Sequence, residues 1–314
     1  MRKQKVSSSE LVDPMASVRT YLEAEKSDNT RRGYKNDFAD FTTWCERQAK
    51  TALPAEPIDV AAYISALADR GLKTSTIQRR LSGIAAAHKA AGFETPTTAE
   101  GVKATMRGIR RTLRSPKTKK APTTAQLLVR VIAALPNTLT GLRDRAILLI
   151  AFAAALRRSE LVAINLEQVD RRERGILLHI GRSKTDQDGK GSILPIPAGK
   201  QLRPVEALNA WLDAAGITAG AIFRPIDKHG HVGTDRLTDR SVARIVKSAI
   251  AGTGLDQSLF SGHSMRAGFI TSSLDSGVDA LKIMKQSRHV KVDTLKEYDR
   301  RENDFDHHAG EDFL

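Results

Sequence analysis

The chain has 314 residues, about twice the roughly 150 of an ordinary domain, so two domains are expected. With 40% hydrophobic and 27% charged residues, wholesale disorder is excluded, and the 50 Lys and Arg against 36 Asp and Glu leave a net charge of +14. A surplus of that size favours a polyanionic partner, nucleic acid before an anionic membrane. Cys45 is the lone cysteine, which excludes an intrachain disulfide and any multi-cysteine metal site; it lies among apolar helix residues and reads as core.

The opening MRKQKVSSSE is basic with no apolar stretch behind it, so no secretory signal is expected and the protein is placed in the cytoplasm. The longest apolar run, residues 146–156, is too short to span a bilayer and is flanked by Arg143, Arg145, Arg157 and Arg158. Charge is concentrated toward the front: residues 1–120 hold 23 basic against 13 acidic side chains, and the remainder 27 against 23.

The first third reads as helices only. Ser27 to Asn29 offer N-caps, and Tyr34, Phe38, Phe41 and Cys45 then recur at helical spacing. Residues 58–68 make a second helix. Residues 74–91 make a third, with Ile77, Leu81, Ile84 and His88 inward and His88 a core histidine rather than a ligand. A fourth carries Val102, Met106, Ile109 and Leu113. Thr30, Arg31, Arg32 and Lys35 open the first helix, and Ser75, Thr76, Gln78, Arg79 and Arg80 the third. Side chains of this kind at helix N-termini suit phosphate contacts and groove entry. Between Lys103 and Lys120 run eight basic residues and no acid, so Arg107, Arg110, Arg111, Arg114 and Lys117 are candidates for a phosphate-tracking strap at a domain boundary.

Beyond residue 122 the pattern is mixed. Helices are expected over 123–134 and 142–156, then two strands, 175–180 and 192–197, bracketing a polar turn, then helices over 203–214, 239–251, 263–277, 280–285 and 294–301. The fold class is mainly α with a small β-sheet. His229 and His231 read as a polar loop, since no third ligand lies at metal-binding spacing.

Single residues in this half say little: an arginine after an apolar helix is often a dipole partner, a hairpin lysine is usually solvated, and a helical tyrosine is usually core. Their ordered combination says more. Arg157 in LRRSEL, Lys184 in GRSKT, His263 and Arg266 in GHSMR, His289 in SRH and Tyr298 in KEYDRR resemble, in order and approximate spacing, the active-site set of the tyrosine recombinases, or phage integrases, and most closely its Cre-like members. TRRGYKNDFADFTTWC and RGLKTSTIQRRLSGIAAAHKAAG resemble the family's two DNA-facing helices, so nearly the whole chain is covered.

The resemblance implies a SAM-like core-binding domain at 14–112, a basic linker at 113–122, a mixed α/β catalytic domain at 123–301 and a tail at 302–314, the two domains clamping a duplex. It implies that Tyr298 attacks a phosphodiester, forming a 3′-phosphotyrosyl bond and releasing a 5′-hydroxyl that religates to a partner strand, without ATP, cofactor or metal. Arg157 and Arg266 would hold the nonbridging oxygens, Lys184 protonate the leaving oxygen, His263 assist the tyrosine or bind phosphate, His289 donate a hydrogen bond and Glu160 position the others. Elementary chemistry agrees, because forked cations suit a transition state that gathers negative charge on phosphate oxygens. Tyrosine's ordinary pKa near 10 calls for help from neighbours. Ala155 stands where many members have glycine, and His289 where some have tryptophan. The tail, with Phe305, Phe313 and Leu314 among acids, is expected to dock on a neighbouring protomer and build a homotetramer on two inverted-repeat DNA sites. A non-catalytic DNA-binding regulator on the same scaffold, and a type IB topoisomerase-like nicking enzyme, are the competing readings.

Overall fold

The computed structural model describes residues 25–113, 120–181 and 191–298. Arg114, Lys117, Lys184 and the segment 302–314, all singled out above, lie outside the described residues. The chain divides into two compact units, residues 1–118 and 119–314.

The first unit is built from α1 (Asp28–Arg47), α2 (Pro57–Asp69), α3 (Thr74–Ala90) and α4 (Glu100–Leu113). Ser27 caps α1 by accepting from the Thr30 amide, and Pro57 opens α2, where its missing N–H would have no partner in any case. The apolar faces converge: Phe41 and Cys45 of α1, Val60, Tyr63, Ile64 and Leu67 of α2, Ile77, Leu81 and Ile84 of α3, and Val102 and Met106 of α4 form one core. His88 lies in it with both ring nitrogens engaged, Nδ1 at 2.9 Å from the Ile84 carbonyl and Nε2 accepting from the Ala55 amide at 2.9 Å, as a core histidine must.

Two acids within α1 escaped the helical pattern. Asp37 is buried and pairs with Arg79 at 2.6 Å, while Asp40 accepts from both Arg80 and the Tyr63 hydroxyl. Burial is the larger influence on Asp37 and raises its pKa, with Arg79 and Arg80 pulling the other way. These pairs brace α3 against α1.

In the second unit, α5 (Ala125–Ala134), α6 (Leu139–Ala153) and α7 (Arg158–Ala163) precede a meander of β1 (Val169–Arg172), β2 (Gly175–Ile180) and β3 (Ser192–Pro197). Then follow α8 (Pro204–Ala214), α9 (Asp239–Ala251), α10 (Ser264–Asp275), α11 (Ala280–Ser287) and α12 (Asp293–Lys296). The strands are antiparallel in the order β1-β2-β3, with Leu178 opposite both Val169 and Leu194. Ile176, Leu178 and Ile180 alternate inward along β2. Strand β1, VDRR, was not foreseen: four residues, two of them exposed arginines, carry no apolar alternation, and they are held by pairing with β2, by Val169 against the core and by Arg171 donating to Asn209 at 3.0 Å.

Helix α6 is apolar all round from Ala146 to Phe152 and runs through the centre of the unit. It begins three residues before the expected start because Thr138 caps it through the Gly141 amide. It also ends earlier, at Ala153, because Ala155 takes a left-handed φ of 47°. The last described helix, α12, spans Asp293–Lys296 and gives way to a turn at 297–298.

Helix α10 lies against the segment before α5 so closely that a Cβ on Gly268 would sit 1.8 Å from the Thr123 carbonyl oxygen. The Thr123 amide donates to the Ser264 carbonyl at the start of the same helix. A small separate cluster of Ile270, Ile283 and Leu295 joins α10, α11 and α12, with Tyr298 packed on it. Among the described residues no helix is long and apolar enough to cross a membrane.

Candidate active site

Four short pieces of chain bring Arg157, His263, Arg266, His289 and Tyr298 together. The first is the turn after α6. Left-handed backbone is costly for a residue with a Cβ, about 1–2 kcal/mol, yet Ala155 adopts it, which swings its carbonyl to accept from Arg266 NH1 at 2.7 Å. The turn also makes Arg157 the N-cap of α7 rather than the C-terminal dipole partner of α6. Glu160, three residues on, accepts from the Arg157 amide at 2.8 Å and from its guanidinium at 2.7 Å.

The second piece is the start of α10, where His263 is N-cap and Arg266 follows on the same face. Arg266 is 1% exposed. Desolvation lowers its pKa to about 10, with Arg157 and Arg288 adding to the effect and Glu160 opposing it; it stays a cation at neutral pH.

The end of α11 supplies the third. Ser287 donates its hydroxyl proton to the Ile283 carbonyl at 2.7 Å, so the lone pair is what faces His289 Nδ1 at 2.8 Å. That fixes the ring as the Nδ1–H tautomer, and Nε2 accepts from Arg266 NH2 at 3.2 Å. His289 therefore donates to Ser287 through Nδ1 and accepts from Arg266 through Nε2. Desolvation, Arg266 and Arg157 push its pKa down to about 4.

Tyr298, just beyond α12, is the fourth: its hydroxyl lies 2.8 Å from His263 Nε2. Burial raises the Tyr298 pKa, and Arg266 and Arg157 only partly oppose it; cations alone do not activate this tyrosine. The His263 pKa is lowered, first by lost hydration and then by Arg266, Arg157 and Arg158. The imidazole is thus neutral and able to take the proton. A pocket beside Tyr298 is lined by Lys120, His263, Ser264 and Ala267, and Lys120 Nζ donates to the Ser258 carbonyl at 2.6 Å.

Arg288 and Ser287 were missed in the sequence. Arg288 is left-handed, with φ 55° and ψ 46°, and its side chain, 9% exposed, ion-pairs with Glu160. No local signal marks it, since its partner lies 128 residues away. Arg157, Arg266 and Arg288 against Glu160 leave a local surplus of positive charge, which suits an anionic ligand.

The depressed pKa of His289 has a consequence for stability. Its folded value near 4 lies below the ordinary 6.5, so on acidification the unfolded chain takes the proton first. Stability is expected to fall as pH drops from 6.5 toward 4 and to level off below. Melting temperatures of wild type and His289→Gln across that range check it, the variant giving the shallower fall.

In the first unit, Arg31, Arg32, Lys35, Ser75, Gln78, Arg79, Arg107, Arg110 and Arg111 are exposed, and Thr30 and Thr76 partly so. Several are held by neighbours: Arg31 by Asp28, Arg32 by Asn29 at 2.6 Å, Arg107 by Glu100 at 2.5 Å and Arg110 by Gln78 at 2.6 Å. Arg80 differs. Its side chain is 15% exposed and tied to Asp40 and Tyr63, so its guanidinium braces the helix pair rather than facing solvent. His229 and His231 form a turn in which both amides donate to Asp227; among the described residues no group of three or more potential ligands could hold a metal ion.

Forked cations beside a histidine–tyrosine pair suit phosphoryl transfer to a tyrosine hydroxyl. Residues 123–304 match the phage integrase family, and residues 19–92 the N-terminal SAM-like domain of phage integrases. The chain belongs to the phage integrase family. It is 40% identical over 295 residues to an integrase/recombinase XerD homolog of Selenomonas ruminantium, covering 92% of this chain and 86% of that one. It is 26% identical over 279 residues to the recombinase Cre of Escherichia phage P1, covering 83% and 80%. Among solved structures, a lambda integrase dimer bound to a core site shares the fold at a TM-score of 0.61, with 17% identity over 92% of this chain and 95% of that one.

Proposed function

We propose that this protein is a site-specific DNA recombinase that cuts and rejoins duplex DNA through Tyr298. The observation that carries the reading is the 2.8 Å contact between the Tyr298 hydroxyl and a neutral His263, beside Arg157 and Arg266. Tyr298 Oη attacks phosphorus while its proton passes to His263 Nε2. The bond to the 5′-oxygen breaks, and Lys184 supplies that oxygen's proton. The product is a 3′-phosphotyrosyl bond and a free 5′-hydroxyl, and reversal with a partner strand's hydroxyl completes exchange.

Energetics favour coupling the proton transfer to attack. The ordinary values of tyrosine and histidine, 10.0 and 6.5, already oppose prior ionisation by about 5 kcal/mol. Both perturbations widen that gap, so the proton moves as the P–O bond forms, when the oxygen has lost its basicity.

The partner is double-stranded DNA, a reading supported by the net charge of +14 and by relatives named as recombinases. Paired inverted-repeat sites and a homotetramer linked by the 302–314 tail complete it. The test uses a nicked suicide duplex carrying sequences from the flanks of the protein's own gene. A covalent adduct whose nucleotide maps to Tyr298 by mass spectrometry is expected. Tight binding to a proven target without any adduct overturns the catalytic reading in favour of a DNA-binding regulator.

A further inference from the structure

We infer that Arg288 is a positioning residue that holds the two ends of the catalytic cation cluster in register. The inference rests on the recombinase reading of the site. Arg288 closes α11 in the left-handed region, where a side chain is tolerated poorly, and the next residue is His289. Its buried guanidinium reaches across to Glu160, the same carboxylate that holds Arg157 through both its amide and its guanidinium. One carboxylate thereby joins the start of α7 to the end of α11, elements distant in sequence that carry Arg157 and His289.

The arrangement is poor as a stabilising device. Nε and Nη1 of Arg288 are buried without hydrogen-bond partners among the described residues, and lost hydration, with nearby Arg157 adding to it, lowers its pKa against the opposing pull of Glu160. A backbone at ease with glycine and a cation held at a loss leave alignment as what the residue contributes.

The test compares Arg288→Gly, which suits the backbone but cuts the tie, with Arg288→Lys, which keeps the charge. In single-turnover adduct formation on the nicked duplex, the glycine variant is expected to be roughly 10- to 100-fold slower with unchanged duplex affinity, and lysine to recover part of the rate. Arg288→Gly combined with Glu160→Gln is expected to be no slower than Glu160→Gln alone, because the tie that Arg288→Gly removes is already lost with Glu160. A normal rate per folded molecule in Arg288→Gly overturns the inference.

Orthovanadate, titrated into DNA-free protein and followed by the arginine Nε–Hε resonances, gives a readout that needs no target site. Arg288→Gly is expected to weaken its binding about 10-fold and to shift the Arg157 resonance. Unchanged binding with an unchanged Arg157 signal overturns the tie. A wild type that forms no adduct, while orthovanadate binding still depends on Arg288, overturns the recombinase reading and leaves the tie standing. Should the glycine variant not fold, Arg288→Gln carries the same comparison.

Discussion

Tyr298→Phe is expected to abolish covalent capture of DNA while changing duplex affinity by no more than about fivefold, since a single neutral hydrogen bond contributes only about 1 kcal/mol. Among the described residues of the site, the Tyr298 hydroxyl is the group paired with a neutral imidazole base, and phenylalanine keeps the ring that packs on the Ile270–Ile283–Leu295 cluster. The loss is therefore chemical rather than structural, and a denaturing gel read beside a mobility-shift titration separates the two. An adduct that persisted in the variant would assign the nucleophile to another residue. His263→Ala, by contrast, removes a proton acceptor and leaves the nucleophile, so its adduct is slowed rather than lost, by about 10²–10⁴-fold.

Arg266→Met carries the second large effect, and its two readouts, stability and rate, are expected to separate. The pKa of Arg266 near 10, against an ordinary 12.5, means that the folded state bears a charge it disfavours, at a cost on the order of 3 kcal/mol throughout the range below pH 10. Methionine fills most of the volume without the charge but leaves the Ala155 carbonyl without its donor, so the two effects largely offset and thermal stability is expected to change little. Adduct formation is expected to fall at least about 10³-fold, because two forked donors to the phosphate oxygens are lost in a desolvated setting. Melting curves and single-turnover rates on the same preparation check it. A variant that melted well below wild type while retaining its rate would reverse the assignment and make Arg266 a structural ion.

Periodicity made the four helices of the first unit, the apolar α6 and two of the three strands legible, because each buries a regular face. The site was legible for another reason. Arginine, lysine, histidine and tyrosine recur in an order that packing alone does not demand. What could not be read depends on distance. The paired acids of α1 look solvated until α3 is laid beside them, and Arg288 looks like a spacer until Glu160 is found facing it. The direction of the hydrogen bond at His289 depends on how Ser287 spends its single proton, which no residue pattern encodes. The left-handed turn at Ala155 was equally hidden, since alanine gives no warning of a positive φ.

The way Tyr298 is held sets it apart from its partners. His263 and Arg266 ride on α10, whose Met265 belongs to the main core, whereas Tyr298 follows a four-residue helix anchored by Leu295 in a cluster of its own. Local opening of so small an anchor costs a fraction of global unfolding, and the amides of residues 293–298 are expected to exchange with solvent deuterium well before those of α10. Tyr298 can then leave its place beside His263 without the main core melting, while His263 and Arg266 stay where α10 holds them. For an enzyme that cuts and rejoins DNA, readiness to cut becomes a local equilibrium at one end of the catalytic unit.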